Sequence, residues 1–521
     1  MSSSVNKVVI VGGGTAGWMT ATTLIKYFPD KEITVVESSD IKSIGVGEST
    51  TALIRNWLNS VDISDKDFMK ECDASYKLSI EFKDFYQKDD GGYHYPFGRP
   101  LTDNMIFGIN SWFYMKHLNR NINNRDFVNT YYPQSYLFEN NKINLNENGE
   151  FDNFNFKNDT AFHFDAKLFA NFLKQKHCLN NRVKHIIANV IEIDADINGI
   201  KSLKLDNLDL LTADLYIDCT GFKSILLGGA MNTKWISYQD RLPNNKAWAA
   251  IVPYTDKEVE LQPYTRCTGL SSGWAWNTPC YSRIGTGYVY SDKYITDEDA
   301  LEEFKKYLDS DKMTIQKNRS DDLKFNNVSF KNGIYEKVWN KNVLAIGLSA
   351  GFLEPLESNG IFKIQDFIRI LVQTLENDNI TQWDIDSFNY AAIKRFNFFA
   401  DFILAHYMLS KRDDTKYWSD ISNMSFDGYD KRLFKGIRDD KYINKEYRDS
   451  DIFESFICVA VGMGVNYVDP IVIKEIESHY GFNSADKLKQ TVEYVNMKKN
   501  KWRLHSEQSM SLNSYLNYLY T

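Results

Sequence analysis

Residues 7–17 limit what this chain can fold into more than any other stretch. Lys7-Val-Val-Ile-Val11 is a continuous apolar run, the pattern of a parallel strand buried on both faces. Gly12-Gly-Gly-Thr-Ala-Gly17 follows at once. A helix-compatible stretch then runs to Tyr27, and Ile33-Thr-Val-Val-Glu37 reads as a second strand. Strand, glycine turn, helix and strand in so short a space make the βαβ unit of a nucleotide-binding fold.

The spacing Gly12-x-Gly14-x-x-Gly17 therefore stands where the dinucleotide fingerprint has meaning, after a strand and at a helix start. Side chains there would hold the backbone off a pyrophosphate. The helix N-terminus, with Thr15 and Ala16 in its first turn, offers N–H groups and a positive dipole end. Glu37 closes the second strand, where a carboxylate can accept from a ribose hydroxyl. The plain alternative is a tight turn with no ligand. A second glycine cluster, Gly45-Val-Gly47-Glu-Ser49-Thr50, is placed to approach a flavin. Asp218-Cys-Thr-Gly221 ends a strand much as flavoproteins end the strand beneath FAD. Asn342-Val-Leu-Ala-Ile, another short buried strand, ends in Gly347 and Leu348. One complete fingerprint is present and a second, for NAD(P)H, is not visible. That asymmetry fits an FAD enzyme reduced by another protein.

The rest of the chain suggests two interlocked modules. The reading is α/β: an FAD-binding Rossmann-type sheet module from 1–95 and 155–410, with a mainly helical, substrate-covering module from 96–154 and 411–521. The Asn-rich segment 118–159 reads as loops or an insertion, and the pattern turns helical from about Asp366. With 521 residues, 43% of them hydrophobic, a large core is assured. A formal net charge of −8 argues against a nucleic-acid surface. The six cysteines are scattered with no C-x-x-C pair, so neither a metal site nor a disulfide framework is expected. No signal segment and no bilayer-length apolar run is seen, so a cytoplasmic location and no membrane partner are expected. A homo-oligomer is compatible with all of this.

Five further segments, in order, resemble the flavin-dependent tryptophan halogenases, and the resemblance spans most of the chain. The opening Gly12-Gly-Gly-Thr-Ala-Gly-Trp-Met19 is similar to that family's start. Cys72-Asp-Ala-Ser-Tyr-Lys77 is similar to the segment with its essential lysine, which falls on Lys77. Gly273-Trp-Ala-Trp-Asn-Thr-Pro279 resembles the family's G-W-x-W-x-I-P, with Thr278 in place of isoleucine. Phe352-Leu-Glu-Pro-Leu-Glu-Ser-Asn-Gly360 matches the stretch with its essential glutamate, on Glu357, and carries Asn359 where threonine is usual. Asp401-Phe-Ile-Leu-Ala-His406 with Arg412-Asp-Asp-Thr415 is also similar.

The resemblance implies FAD in its reduced form, O₂, a halide ion and a separate NAD(P)H flavin reductase. It implies hypohalous acid relayed by Lys77 to an electron-rich aromatic of indole or phenol type. Free hypohalous acid would oxidise the protein indiscriminately, so a donor on a flexible stem is needed to hold it. Lys77 does this by hydrogen bond or as a haloamine. Glu357 polarises the halogenating species or takes the ring proton. The resemblance also implies that the backbone N–H groups of Asn359 and Gly360 bind the halide, with chloride, bromide and iodide left open. Trp274 and Trp276 share a face by strand period and form either core packing or a barrier between flavin and substrate. Around the substrate, Phe97 of Tyr93-His-Tyr-Pro-Phe97 offers a stacking ring, Glu446 falls where some relatives have a carboxylate for the substrate's amino group, and around Ser450 and Asp451 the family's Phe-Trp pair is missing. That loss turns the reading away from free tryptophan. His163 and His406 are read as structural. The competing readings are an FAD-dependent aromatic monooxygenase and a flavin-binding protein without turnover.

Overall fold

A computed structural model describes residues 4–39, 47–101, 110–143, 150–310, 320–377, 379–424, 451–465, 473–474, 477–479, 481 and 484–521. The chain divides into two compact units, the first from 1–74, 163–249 and 326–400, the second from 75–162, 250–325 and 401–521.

In chain order, the first unit begins with β1 (Lys7–Val11), α1 (Thr15–Tyr27), β2 (Glu32–Glu37) and the two-residue β3 (Glu48–Ser49). The second takes β4 (Ser75–Lys77), β5 (Ser79–Lys83), β6 (Tyr93–Pro96) and the helices α2 (Asn110–Leu118), α3 (Asp126–Tyr131) and α4 (Ser135–Phe138). The chain changes unit within β7 (Ala161–Phe164), then gives α5 (Ala166–Phe172), β8 (Lys184–Ile187) and β9 (Leu215–Asp218). The second unit resumes with β10 (Tyr264–Gly269), β11 (Gly273–Pro279), β12 (Arg283–Tyr290) and α6 (Asp297–Leu308). The first closes with β13 (Trp339–Asn340), β14 (Val343–Ala345) and α7 (Asn359–Leu375). After α8 (Gln382–Met408), which changes unit midway, come α9 (Asp451–Gly462) and α10 (Ser484–Gln508).

The first unit's sheet has the order β8-β2-β1-β9-β14-β13, parallel except for the edge strand β13. Val8, Val9 and Ile10 of β1 are wholly buried, as their unbroken apolar run requires. The late strands β9 and β14 thus join the strand that opens the chain. They leave the carboxyl ends of β1 and β9 side by side at the glycine turn, the position where open α/β sheets take their ligands.

The second unit holds five strands of a seven-stranded sheet of a different kind, in the order β12-β11-β10-β5-β6 and antiparallel except between β10 and β5. The unit gathers the expected segments 96–154 and 411–521 and also 75–95, 155–162, 250–325 and 401–410; the strands in 75–95 and 250–325 pair with one another rather than with β1. Within the Asn-rich segment the structure has α3 and α4 as well as loops. Phe127, Val128, Tyr131, Leu137 and Phe138 supply the buried apolar faces that make helices there worthwhile. α6 is built by its sequence: Thr296 caps it, three acids fill the first turn and Lys305 and Lys306 the last. Among the described residues no helix is long and apolar enough to cross a membrane.

Candidate functional site

The glycine turn is shaped by what a side chain would meet. Gly12 has φ +122°, and a Cβ there would stand 2.1 Å from the carbonyl oxygen of Cys219 at the end of β9. Gly17 would put a Cβ 1.9 Å from the carbonyl of Gly12, so it is glycine to let α1 start directly off β1. Gly14 differs. It caps α1 with extended backbone (φ −82°), and no atom lies within 4 Å of its missing Cβ. Two glycines thus serve close packing, while the third leaves open space at an uncapped helix N-terminus with no acid in its first turn.

Other candidates in the first unit gather round this turn. Gly347, at φ +81°, would bring a Cβ to 2.9 Å from that of Ala16, and Leu348 beside it is exposed. The Thr15 hydroxyl donates to Ala166 O at 3.3 Å. Glu37 lies against the turn, since a Cβ on Gly13 would stand 2.6 Å from its Oε1. Its other oxygen, Oε2, meets Lys174 Nζ and His185 Nε2, each at 2.8 Å. Gly47 has φ +107°, while Gly45 falls outside the described residues. The residues here fit a dinucleotide: a cradle closed to side chains where it packs, open at Gly14, with a carboxylate at its rim.

Asp218 is a structural acid. Its Oδ2 accepts from Leu226 N and Leu227 N at 2.9 Å and its Oδ1 from Thr220, so it holds the turn after β9. Burial raises its carboxyl above the usual range, against those hydrogen bonds.

A second cluster of the same unit is built on the loop before α7. Glu357 is buried in the single 3₁₀ turn Pro355–Glu357. Ser358 then takes left-handed backbone (φ 53°, ψ 36°) and starts α7 without a side-chain cap, which leaves the first N–H groups of Asn359 and Gly360 to another acceptor. The loop is braced from beneath. Glu354 N donates to Asn332 Oδ1 at 2.7 Å, Asn244 Nδ2 donates to Glu354 Oε2 at 2.6 Å, and Asn359 Nδ2 donates to Glu354 O at 3.0 Å. Asn359 Oδ1, buried, has no donor among the described residues. Ser49 joins this loop through its hydroxyl, 3.0 Å from that of Ser358.

In the second unit, Lys77 ends β4 and has no exposed surface. Its Nζ stands 5.0 Å from the centre of the Phe97 ring, a cation–π distance worth about 0.5–2 kcal/mol where water is excluded. The peptide around it is pinned: Leu78 N donates to Pro263 O at 2.7 Å and Phe97 N to Leu78 O at 3.0 Å. Trp274 and Trp276 lie on one face of β11 with ring centres 6.3 Å apart. Their strand neighbours include Gly269, Cys267 and Gly287, small enough to leave room for two indoles.

The opposite face of that sheet carries a polar row that sequence reasoning missed. Residues in register across five strands are His94, Glu81, Arg266, Asn277 and Thr286. Arg266 Nε donates to Glu81 Oε2 at 2.5 Å, and Thr286 Oγ1 donates to Asn277 Oδ1 at 2.7 Å. Burial works against ionised Glu81, yet Arg266 still holds its carboxyl below the usual range. Burial drives His94 down to about 4, although Glu81 opposes it. No spacing could have revealed the row, because it is contiguous only once the strands are aligned. Glu48, Asp165 and Lys363 were also missed, though Glu48 stands inside the quoted Gly45–Thr50 cluster. His163 is buried in β7, and His406 Nδ1 lies 2.9 Å from Phe402 O. Glu446 falls outside the described residues. Asp451 is the first residue of α9, and its side chain is outside the description.

Comparison with known proteins adds to this geometry. The family model described as tryptophan halogenase matches residues 7–473. Tryptophan 6-halogenase SttH of Streptomyces toxytricini is 34% identical over 434 residues, 80% of each chain. Tryptophan 7-halogenase KtzQ of Kutzneria sp. (strain 744) is 30% identical over 503 residues, 90% of this chain and 91% of its own. Among solved structures, VirX1 in its apo form superposes with a TM-score of 0.87 at 31% identity, covering 98% of this chain and 99% of that one.

Proposed function

The chain belongs to the flavin-dependent tryptophan halogenase family, and from that premise we propose that it halogenates an electron-rich aromatic of indole or phenol type through Lys77. The observation that carries the reading is the burial of Lys77 with its amine over Phe97. A solvated lysine would be the ordinary expectation. A wholly buried one is costly to keep and is retained where an amine has work to do.

FAD, when reduced and bound, would supply with O₂ the oxidising power that turns halide into hypohalous acid. The residues to hold it are Gly12, Gly14, Thr15, Ala16, Gly17 and Glu37, with Gly47, Ser49, Gly347 and Leu348. The halide would sit on the backbone N–H groups of Asn359 and Gly360. Lys77 would hold the acid by N–H···O contact, or take halogen from it with loss of water. Glu357 would polarise that species or accept the proton the ring loses. Trp274 and Trp276 would keep flavin and substrate apart. The reductant would come from a separate NAD(P)H flavin reductase. Phe97 offers a ring to stack on and prescribes no amino-acid backbone, so indoles other than free tryptophan, and phenols, are the substrates to try first.

The test is incubation with FAD, NADH, a flavin reductase, air and bromide over a panel of indoles and phenols, read by mass spectrometry. Bromination by the native protein should fall by about 100-fold or more in Lys77→Ala, with FAD binding unchanged. Products heavier by one oxygen, formed equally by Lys77→Ala, would make the protein an aromatic monooxygenase instead.

A further inference from the structure

Neither the cradle nor the lysine relay gives Glu48 a task. It opens β3, half-buried, and its Oε2 lies 4.0 Å from where a Cβ on Gly360 would stand. The hydroxyl contact between Ser49 and Ser358 fastens β3 to the same loop. A carboxyl group is therefore held against the first turn of α7, at the uncapped N–H groups read above as halide donors. A carboxylate and a halide are both anions, and they compete for that positive end.

We propose that Glu48 is a halide-positioning residue that works as the uncharged acid, so that wherever Glu48 is ionised in the empty site, a halide entering the α7 N-terminus is accompanied by a proton onto Glu48. The step rests on the reading of Asn359 and Gly360 as halide donors. Its balance is simple: halide and proton both come from solvent, one O–H bond forms on Glu48, and the net charge of the site does not change. An ionised Glu48 would keep halide out.

The surroundings support a carboxyl that changes charge near neutrality and is protonated below it. Burial, with the negative charge of Asp165 added, pushes Glu48 up to about 7. Among the described residues, charged or titratable groups stand on the elements packed around it. Asp165 caps α5, and His163 stands opposite Ser49 in β7. Glu357 precedes Ser358, and Lys363 lies one turn into α7 beyond Asn359. Lys363 is buried with its amine 4.5 Å from the centre of the Phe396 ring, and burial pulls it down to about 7. It changes charge over the same range and with the same sign for an anion, so the test must isolate Glu48.

Bromide binding to the FAD-loaded protein, followed by line broadening of the bromide nucleus across pH, provides that test. Below the range where Glu48 ionises, affinity should be flat. Above it, affinity should fall by up to about tenfold per pH unit, because each bromide must bring a proton. Glu48→Gln should lose that share of the slope and keep tight binding at high pH. Asp165→Asn keeps an amide oxygen to cap α5 and removes the charge that holds the Glu48 proton. It should move the fall in affinity to lower pH. A flat native profile, or a Glu48→Gln slope equal to the native one, would overturn the proposal and leave the halide site standing. Absence of bromide binding at every pH would overturn the halide reading together with it.

Discussion

The glycine cradle of the first unit and the tryptophan sheet of the second present chemistry in opposite ways. In the cradle the backbone would be the functional group under the proposed function, with N–H donors at the starts of α1 and α7, and side chains would matter chiefly by being absent. In the sheet the backbone is consumed by strand pairing, and any function there would fall to side chains on the two faces of β11. Asn359 shows one consequence: an unexpected side chain can stand at a backbone site without removing a donor. At Lys77 the proposed mechanism leaves no such substitution open, because there the amine itself would do the work.

The largest effect is expected where the cradle packs on itself. Gly17→Ala would set a methyl 1.9 Å from the Gly12 carbonyl, a backbone atom that cannot move without shifting β1 or α1. It should cost more than about 4 kcal/mol or prevent folding, read as lost expression or a collapsed Tm. A well-folded Gly17→Ala protein would show that the turn has slack and weaken the whole contrast. Next comes the sheet's half-buried ion pair. Arg266→Met leaves the half-buried Glu81 without its partner and should cost about 1–3 kcal/mol in chemical denaturation. Restoring neutrality with Glu81→Gln in the same chain should recover part of that loss.

The same row gives the sheet a pH dependence. His94 is neutral in the folded state until about 4, whereas the unfolded chain takes up its proton near the ordinary value of 6.5. Between those two the unfolded state binds more protons, so acidification through that range should lower stability. His94→Gln should flatten the melting-temperature profile there, and an unchanged profile would place the dependence on other groups.

How much of this was legible in the sequence divides along the same line. Gly12, Gly14, Gly17 and Glu37 are readable because a backbone site needs fixed residues at short, fixed separations, and local spacing is what a sequence displays. The parallel strands β9 and β14 were readable from their apolar runs. Lys77 and Glu357 came through resemblance alone, since a buried lysine and a solvated one look the same in a sequence. The row from His94 to Thr286 was illegible because its members come from five strands. Glu48 was overlooked for another reason: its neighbours are glycines and serines, whose significance is local, whereas its own lies in Gly360, far along the chain.

A gentler substitution separates binding from folding within the cradle. Gly14→Ala meets no atom within 4 Å and asks for backbone that alanine readily adopts, so stability should be nearly unchanged. Its methyl would occupy the space left for phosphate, and FAD affinity should fall by about tenfold, or 1.4 kcal/mol, in a fluorescence titration. Unchanged affinity would place the pyrophosphate elsewhere.

The smallest effect is expected at Asn359→Thr. The change removes the hydrogen bond from Nδ2 to Glu354 O, a loss of about 1 kcal/mol, but it also removes the buried Oδ1 that lacks a donor among the described residues, a relief of similar size. The two should nearly cancel in stability. Because the peptide N–H groups of residues 359 and 360 are untouched, bromination should persist and the bromide-to-chloride product ratio should change by no more than about threefold, the equivalent of 0.7 kcal/mol. A change well beyond that would mean the Asn359 amide faces the halide directly. The α7 start would then be a side-chain site like the one around Lys77, and the contrast between the two regions would hold only for the glycine turn.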